Sequence, residues 1–265
     1  MKAQPAMHYL KSHNVNQPAS LSLGWIASTL LIATLLAAAP LSLCAGGHED
    51  HNPGIFPPNA HPFGMSYAEW GDAWIRWAYS IPADQNPITD LTGQDAAVGQ
   101  SGKVWFLAGT PGGAAERTIT VPEGQALFFP IGEWVWVNTP QFGDNPWSPA
   151  QEAFARADIA AHVDDYVNLA CQIDGRQVVN LGAYRFSTPP GDAFMVTFPD
   201  NNIWGIPGDT YGPSVDDGYW LMVKPLSHGH HTIHFTVAQG SFPWSLDVTY
   251  HITVGGRDCD EHRRP

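Results

Sequence analysis

Along most of the chain, apolar residues occur in short runs, several of them alternating with polar residues, as in strands that bury one side. Gly, Pro and Asp residues that form turns separate these runs. Asp174-Gly175 is a hairpin signal between Cys171–Ile173 and Gln177–Val179. Further strands are predicted at Lys103–Ala108, Arg117–Val121, Gln125–Ile131, Trp134–Val137, Tyr184–Ser187, Phe194–Thr197, Gly218–Val223, His231–Val237 and Leu246–Val254.

A helix is predicted from Ser66 to Ser80. Ser66 and Glu69 have the spacing of a capping box at its start. One face carries the aromatic residues Tyr67, Trp70, Trp74 and Trp77. This face is predicted to dock on a sheet, with a platform for stacking sugars as the alternative. Asp72 and Arg76 lie away from this face and have the i,i+4 spacing of an ion pair.

A second helix is predicted to begin at Ser148, because Ser is a favoured N-cap and Pro149 suits the first helical position. Its body is predicted at Ala153–Asn168, and its buried side at Phe154, Ala157, Ala161 and Val167. Many short strands and about two helices indicate a mainly β protein with a β-sandwich or jelly-roll-like body. We expect a single β-rich domain over residues 66–254.

The N-terminal 45 residues have the pattern of a secretory signal. An apolar stretch from Leu21 to Ala39 follows a polar start and precedes small residues, so cleavage after Ala45 is expected. An uncleaved membrane anchor and a lipoprotein attached at Cys44 are the alternatives. Cleavage would leave no membrane span in the mature chain, which is then expected to be secreted or periplasmic.

The predicted domain is flanked by two segments without apolar periodicity. Residues 46–65 are rich in Gly, Pro and His and are expected to form an extended arm, and residues 255–265 a flexible tail. Cys171 and Cys259 form a disulfide in one interpretation, since export leads to an oxidising compartment. In the other interpretation Cys171 is a buried free thiol and Cys259 lies free in the tail.

Composition narrows the classes of function. The chain has 265 residues with a formal charge of −13, from 25 acidic and 12 basic residues. A chain this acidic is unsuited to general binding of nucleic acid or of an anionic membrane surface. Its 11 Trp residues also argue against intrinsic disorder, which needs few aromatic residues.

Several segments resemble a group of secreted bacterial proteins that share a Trp-rich N-terminal helix and a β-rich body. The segments that carry the resemblance are Ser66–Trp70 with Trp74 and Trp77, Val104–Thr110, Val121–Pro130, Asp217–Met222 and His231–Phe235. The resemblance spans roughly residues 66–254 and implies export and this architecture. It implies no catalytic residues, because no activity is established for that group.

Histidines are the densest set of candidate ligands, at His228, His230, His231 and His234. His230 and His234 share one face of a strand, and His251 comes near them if the next strand returns antiparallel. Imidazoles from adjacent strands can hold zinc or copper, so His230, His234 and His251 are predicted metal ligands. The alternative is a polar strand face turned to solvent.

Cleavage after Ala45 would create a second candidate metal site. The new N-terminus would read Gly46-Gly47-His48. Its amine, two backbone amides and the imidazole of His48 could bind Cu(II) in a plane. An accidental Gly-Gly-His in a solvated arm is the alternative.

The remaining candidates depend on loops. Pro199–Gly218 is predicted to be a long loop, whose oxygen ligands could bind calcium. These ligands would be Asp200, Asn201, Asp209, Asp216 and Asp217. Trp134, Trp136 and Trp204 are predicted to be exposed aromatic residues that contact a glycan or another small molecule. Glu133 is a candidate general acid without an identifiable partner.

The leading hypothesis is a secreted or periplasmic, non-enzymatic protein that binds a glycan, a small molecule or a metal ion. Motifs of the common nucleotide-binding and hydrolase families do not occur in the sequence. One alternative is a metal-assisted hydrolase that uses the cluster His228–His251. Another is a structural protein of the cell envelope.

Overall fold

The computed structural model describes Asn52, residues 54–140 and residues 147–255. The predicted signal segment, the first residues of the arm and nearly all of the predicted tail lie outside the described residues. The described chain contains two α-helices, α1 (Tyr67–Tyr79) and α2 (Pro149–Asp164). Its strands are β1 (Val104–Phe106), β2 (Gly113–Pro122), β3 (Ala126–Val137), β4 (Tyr166–Ile173), β5 (Arg176–Gln177), β6 (Arg185–Ser187), β7 (Phe194–Phe198), β8 (Asp209–Val223), β9 (Gly229–Gln239) and β10 (Ser245–Gly255).

The strands form two mixed sheets, which confirms the mainly β fold with two helices. Sheet I has the order β1-β3-β8-β6, and β7 also pairs with β8. Sheet II has the order β2-β10-β9-β4-β5. The pairs β1–β3 and β2–β10 are parallel, while the other pairs are antiparallel.

The two sheets pack face to face around an aromatic core. The rings of Phe129 in sheet I and Phe235 in sheet II are stacked 5.1 Å apart. Gly132 lets β3 approach sheet II, because a Cβ atom there would come within 3.0 Å of Tyr166 and Val237 side chains. Burial alternates along β9 and β10, as the sequence pattern predicts for strands with one buried side.

The aromatic helix α1 covers the other face of sheet I. Ser66 and Glu69 form the predicted capping box. Trp74 and Trp77 are buried, which confirms that this face docks on a sheet and excludes Trp74 and Trp77 as an exposed sugar platform. Asp72 does not lie away from the core as expected, because it is buried near Asp216. The Arg76 cation opposes the rise in the pKa of Asp72, as expected of the predicted pair, and it also donates to the carbonyl oxygen of Met195.

Helix α2 packs on β3 and β8 with a different face from the predicted one. Its buried residues are Ala155, Ile159 and Val163, four positions apart. The predicted buried residues Phe154, Ala157 and Ala161 are exposed on α2. Val167 is exposed in β4, because the helix ends at Asp164 and does not reach Asn168 as predicted. Alanines lie on several sides of this helix, so its sequence marks no single apolar face and the packing on sheet I selects one.

Two strands extend further than the pattern predicts. β3 continues through Gly132, so the two strands predicted here are one strand. Its register against β8 shifts between Pro130 and Gly132. β8 begins at Asp209, so the predicted loop Pro199–Gly218 is strand over its second half. The predicted arm also contributes to the body, since Ile55 is buried and pairs with Val223. No helix in the described ranges is long and apolar enough to cross a membrane.

Candidate functional site

A groove of about 430 Å³ lies where the end of β8 meets the β4–β5 hairpin. Its lining comes from three separate segments: Asn52 with Gly54 and Ile55, residues 173–179, and residues 223–227 with His231. A cavity of about 120 Å³ adjoins it and shares Asn52 and Ile55. The volume of the groove falls in the range of small-molecule sites.

Local sequence explains how the walls form. Asp174 and Gly175 both have positive φ, 50° and 73°, as a tight hairpin turn requires, so the predicted hairpin is confirmed. The Asn52 amide exchanges two hydrogen bonds with the backbone of Val179, at 2.8 and 2.9 Å. The Lys224 N–H donates to the carbonyl oxygen of Gly54. These contacts hold the three segments together.

His231 connects two walls of the groove. Its Nδ1 atom lies 2.8 Å from Asp174 Oδ2, and its Nε2 atom lies 3.0 Å from the carbonyl oxygen of Ser227. Partial burial lowers the pKa of His231, but the hydrogen bonds to Asp174 and Ser227 outweigh it and raise the pKa above its ordinary value. Both ring nitrogens face acceptors, so this arrangement favours the doubly protonated, cationic ring.

Ser227, His231 and Asp174 together resemble the order of groups in a nucleophilic triad. The Ser227 hydroxyl oxygen lies 3.3 Å from His231 Nε2. The carbonyl oxygen of Ser227 is closer, and a nitrogen that donates to it has no lone pair free to accept the hydroxyl proton. The arrangement therefore suits a structural clip between two turns better than a catalytic base.

The charges around the groove contrast with those of the whole chain. Arg176 and Lys224 are exposed cations in its lining, and neither forms a salt bridge with a described residue. The Lys224 ammonium lies 5.7 Å from the centre of the Phe56 ring. Asp174 is the single acidic residue in the described lining, and His231 pairs with it. The groove is therefore locally cationic in an acidic protein.

The predicted metal ligands lie on the outer face of sheet II. His230 is opposite Thr253, His251 is opposite Thr232, and His234 is opposite Thr249, so the three share this face as expected. His234 and His251 contact the carboxylates of Asp247 and Glu116, each at 2.9 Å. Within the described ranges, no three His, Cys, Asp or Glu side chains are grouped to hold a metal. Zinc or copper binding here stays a prediction.

The predicted calcium ligands do not come together. Asp216 and Asp217 lie on opposite faces of β8, and Asp217 pairs with Arg185 at 2.7 Å. Asp200 and Asn201 precede that strand, and Asp209 is its first residue. The described part of the chain thus offers no calcium cluster, because the ligands expected from one loop are distributed along a strand.

The predicted ligand-binding tryptophans are half-buried and occupy two separate places. Trp134 stacks on the ring of His162 with 3.9 Å between centroids, and Trp136 contacts Phe154. Trp204 packs edge to face against Tyr79 at the end of α1. None of the three lines the groove. A glycan-binding role for them stays a prediction.

The remaining candidates are His48 of the predicted copper site and the three cysteines. His48 of the predicted copper site, Cys44 of the lipoprotein alternative and Cys259 all lie outside the described residues. Cys171 is buried and is not bonded to another described residue. Burial raises the pKa of the Cys171 thiol to about 12, which makes it a poor nucleophile.

A buried carboxyl pair joins α1 to sheet I. Asp216 Oδ1 accepts hydrogen bonds from the N–H and hydroxyl of Thr188, and the same hydroxyl lies 3.3 Å from Asp72 Oδ1. One hydroxyl proton cannot serve both carboxylates. Burial raises the pKa of Asp216 well above its ordinary value and that of Asp72 to about 6, which favours a proton held by the pair.

These raised values predict that stability falls as pH rises. Burial raises the pKa of Glu133 from 4.5 to about 8, so folding keeps a proton on Glu133 that the unfolded chain loses. We expect the free energy of unfolding to fall between pH 4.5 and about 8. At about 1.4 kcal/mol per pKa unit, this rise in the pKa corresponds to at most about 5 kcal/mol. Because the Glu133 side chain is only half-buried and solvent screens it, we expect Glu133→Gln to reduce the loss by about 2 kcal/mol in urea unfolding at both ends of this window.

Glu123→Gln is the matched control, because Glu123 is exposed and should leave the pH dependence unchanged. An unchanged slope in Glu133→Gln would show that Glu133 titrates normally.

Sequence reasoning missed the groove residues Arg176 and Lys224, and it left His231 out of the predicted site. Two signals were present: the Asp174-Gly175 turn, and the position of His231 on the inward side of its strand. Nothing in the sequence shows that the Asp174-Gly175 hairpin lies beside Asn52 and Lys224, which are far from it along the chain.

Comparison with known proteins does not identify a family. No family model matches the chain, and no curated protein matches it. Solved structures with weak similarity include the cysteine protease inhibitor EhICP2 from Entamoeba histolytica, at 12% identity and a TM-score of 0.21, covering 57% of this chain and 96% of that chain. PbICP-C, solved in complex with falcipain-2, is 14% identical with a TM-score of 0.24, covering 58% of this chain and all of that chain. Similarity this distant carries no functional argument.

Proposed function

We propose that the protein is an exported, non-enzymatic binding protein that holds a small molecule in the groove. The observation that carries the proposal is the groove itself. Accessible apolar side chains line it, including those of Val179, Ile173 and Leu226, and a few polar groups converge on it. This combination is typical of small-molecule sites. Export rests on the signal pattern of residues 1–45, and the resemblance to secreted bacterial proteins agrees with it.

The hydrogen-bond partners of His231 support binding rather than catalysis. A general base needs a nitrogen free to accept a proton, and both nitrogens of His231 face acceptors. The metal-assisted hydrolase is also less well supported, because the described histidines of the cluster form no three-ligand group with neighbouring acidic residues. A structural role in the cell envelope would not require a groove of this kind.

Ligand-detected NMR with a library of small aromatic and aliphatic compounds tests the proposal. Ser227→Trp places a large side chain in the groove lining and should abolish binding of the compounds that bind the wild type. Ser245→Trp is the matched control, since Ser245 is exposed at the opposite end of the β9–β10 pair. Binding that survives in Ser227→Trp, or that is absent from the wild type, would contradict the proposal.

The Ser227–His231 contact makes acyl transfer the second candidate function. Hydrolysis of p-nitrophenyl acetate that is lost in both Ser227→Ala and His231→Ala would favour an enzyme. We expect no hydrolysis above the rate of the buffer, because the imidazole is occupied on both sides.

A further inference from the structure

We propose that the ligand of the groove is a small organic acid, whose carboxylate is held by Arg176 and Lys224 and whose apolar body lies on the aliphatic lining. This inference rests on the proposed function and specifies the class of ligand for the same site.

The distribution of charge is the first argument. The chain carries 25 acidic residues against 12 basic ones, and its net field repels anions. Yet the groove lining holds Arg176, Lys224 and His231, and its acid Asp174 is already paired with His231. Two cations thus remain without an ionic partner among the described residues. A carboxylate would supply the missing negative charge.

The geometry of the donors is the second argument. A guanidinium group presents a planar fork of N–H donors that matches the two oxygens of a carboxylate. Arg176 follows the Asp174-Gly175 turn directly, in the short edge strand β5. Lys224 lies on another wall, immediately after β8. A ligand between these walls can therefore meet a cation from each side.

The lining between the cations is the third argument. Val179 is 39% exposed, and the half-buried side chains of Ile173 and Leu226 also present aliphatic carbon to the groove. Their contact favours an organic body over an inorganic anion, because removal of apolar surface from water stabilises the complex. The groove thus combines an apolar surface with a cationic rim.

Titration of the ¹⁵N-labelled protein with benzoate and with the neutral analogue benzyl alcohol tests this inference. Arg176→Gln should weaken benzoate binding about two- to fivefold, the effect of an exposed charge pair at a rim, and leave benzyl alcohol binding unchanged. Added salt should weaken only the binding of benzoate. Lys103→Gln is the matched control, because Lys103 is an exposed cation outside the groove and should change neither ligand.

The outcomes separate the two proposals. If both compounds bind in the groove with equal strength and Arg176→Gln changes neither, the groove binds small molecules but the acid class is wrong. If inorganic phosphate displaces benzoate at equal concentration, the organic body contributes nothing and the class is again wrong. If neither compound shifts groove residues, and the compound library also finds no groove ligand, the proposed function itself fails.

Discussion

Replacing Arg117 by Met is expected to destabilise the protein by about 3–5 kcal/mol, as the loss of a buried, hydrogen-bonded charge does. Arg117 is 1% exposed. Its guanidinium donates to the carbonyl oxygens of Asp90 and Gly109, at 2.7 and 2.9 Å, and to the hydroxyl of Tyr250 at 2.6 Å. Met fills a similar volume but removes the donor that the carbonyl oxygens of Asp90 and Gly109 share in the guanidinium.

Arg117→Lys should also be strongly destabilising, because an ammonium group cannot reach acceptors on three segments at once. Arg176→Met is the matched control: Arg176 is exposed, so its loss should change the free energy of unfolding by less than about 0.5 kcal/mol. Urea unfolding monitored by Trp fluorescence measures all three variants. Arg117→Met with the midpoint of the wild type would show that the guanidinium network contributes no net stability.

Trp74→Ala should cost a similar amount, about 3–5 kcal/mol, through the cavity left by a large aromatic side chain. Trp74 is 1% exposed, and its ring lies edge to face with Trp220 at 5.7 Å. Its indole N–H donates to the carbonyl oxygen of Leu107 at 2.9 Å, so the variant also loses a buried hydrogen bond.

Phe154→Ala provides the comparison for a surface aromatic, since Phe154 is 46% exposed on α2. We expect it to cost less than about 1 kcal/mol. Differential scanning calorimetry of the three proteins should give melting temperatures in the order wild type, Phe154→Ala, Trp74→Ala. The two variants melting together would contradict the docking of α1 through its aromatic face.

Local signals in the sequence predicted the local structure well. The Ser66–Glu69 capping box, the Ser148 N-cap and the Asp174-Gly175 turn each depend on residues within four positions, and all three are present. The alternation of apolar and polar residues predicted β9 and β10 for the same reason, and their burial alternates as expected. Interactions between residues that are close along the chain can be predicted from short stretches of sequence.

The errors arose where distant packing decides the outcome. Asp72 is predicted to lie away from the buried face of α1, but Thr188 and Asp216 contact it from sheet I and bury it. Helix α2 has alanines on several sides, and only its contact with β3 and β8 selects Ile159 as buried. The groove depends most strongly on distant packing, because Asn52, Arg176 and Lys224 come from three distant segments and line one groove only in the folded chain.

A crystal structure of the protein grown with benzoate tests the central claim of a ligand-binding groove most directly. We predict benzoate between the β4–β5 hairpin and the end of β8, with its ring on Val179 and Leu226 and its carboxylate beside Arg176. Benzoate bound instead on the outer face of sheet II beside His230 and His251, or an empty groove at saturating benzoate, would contradict the account.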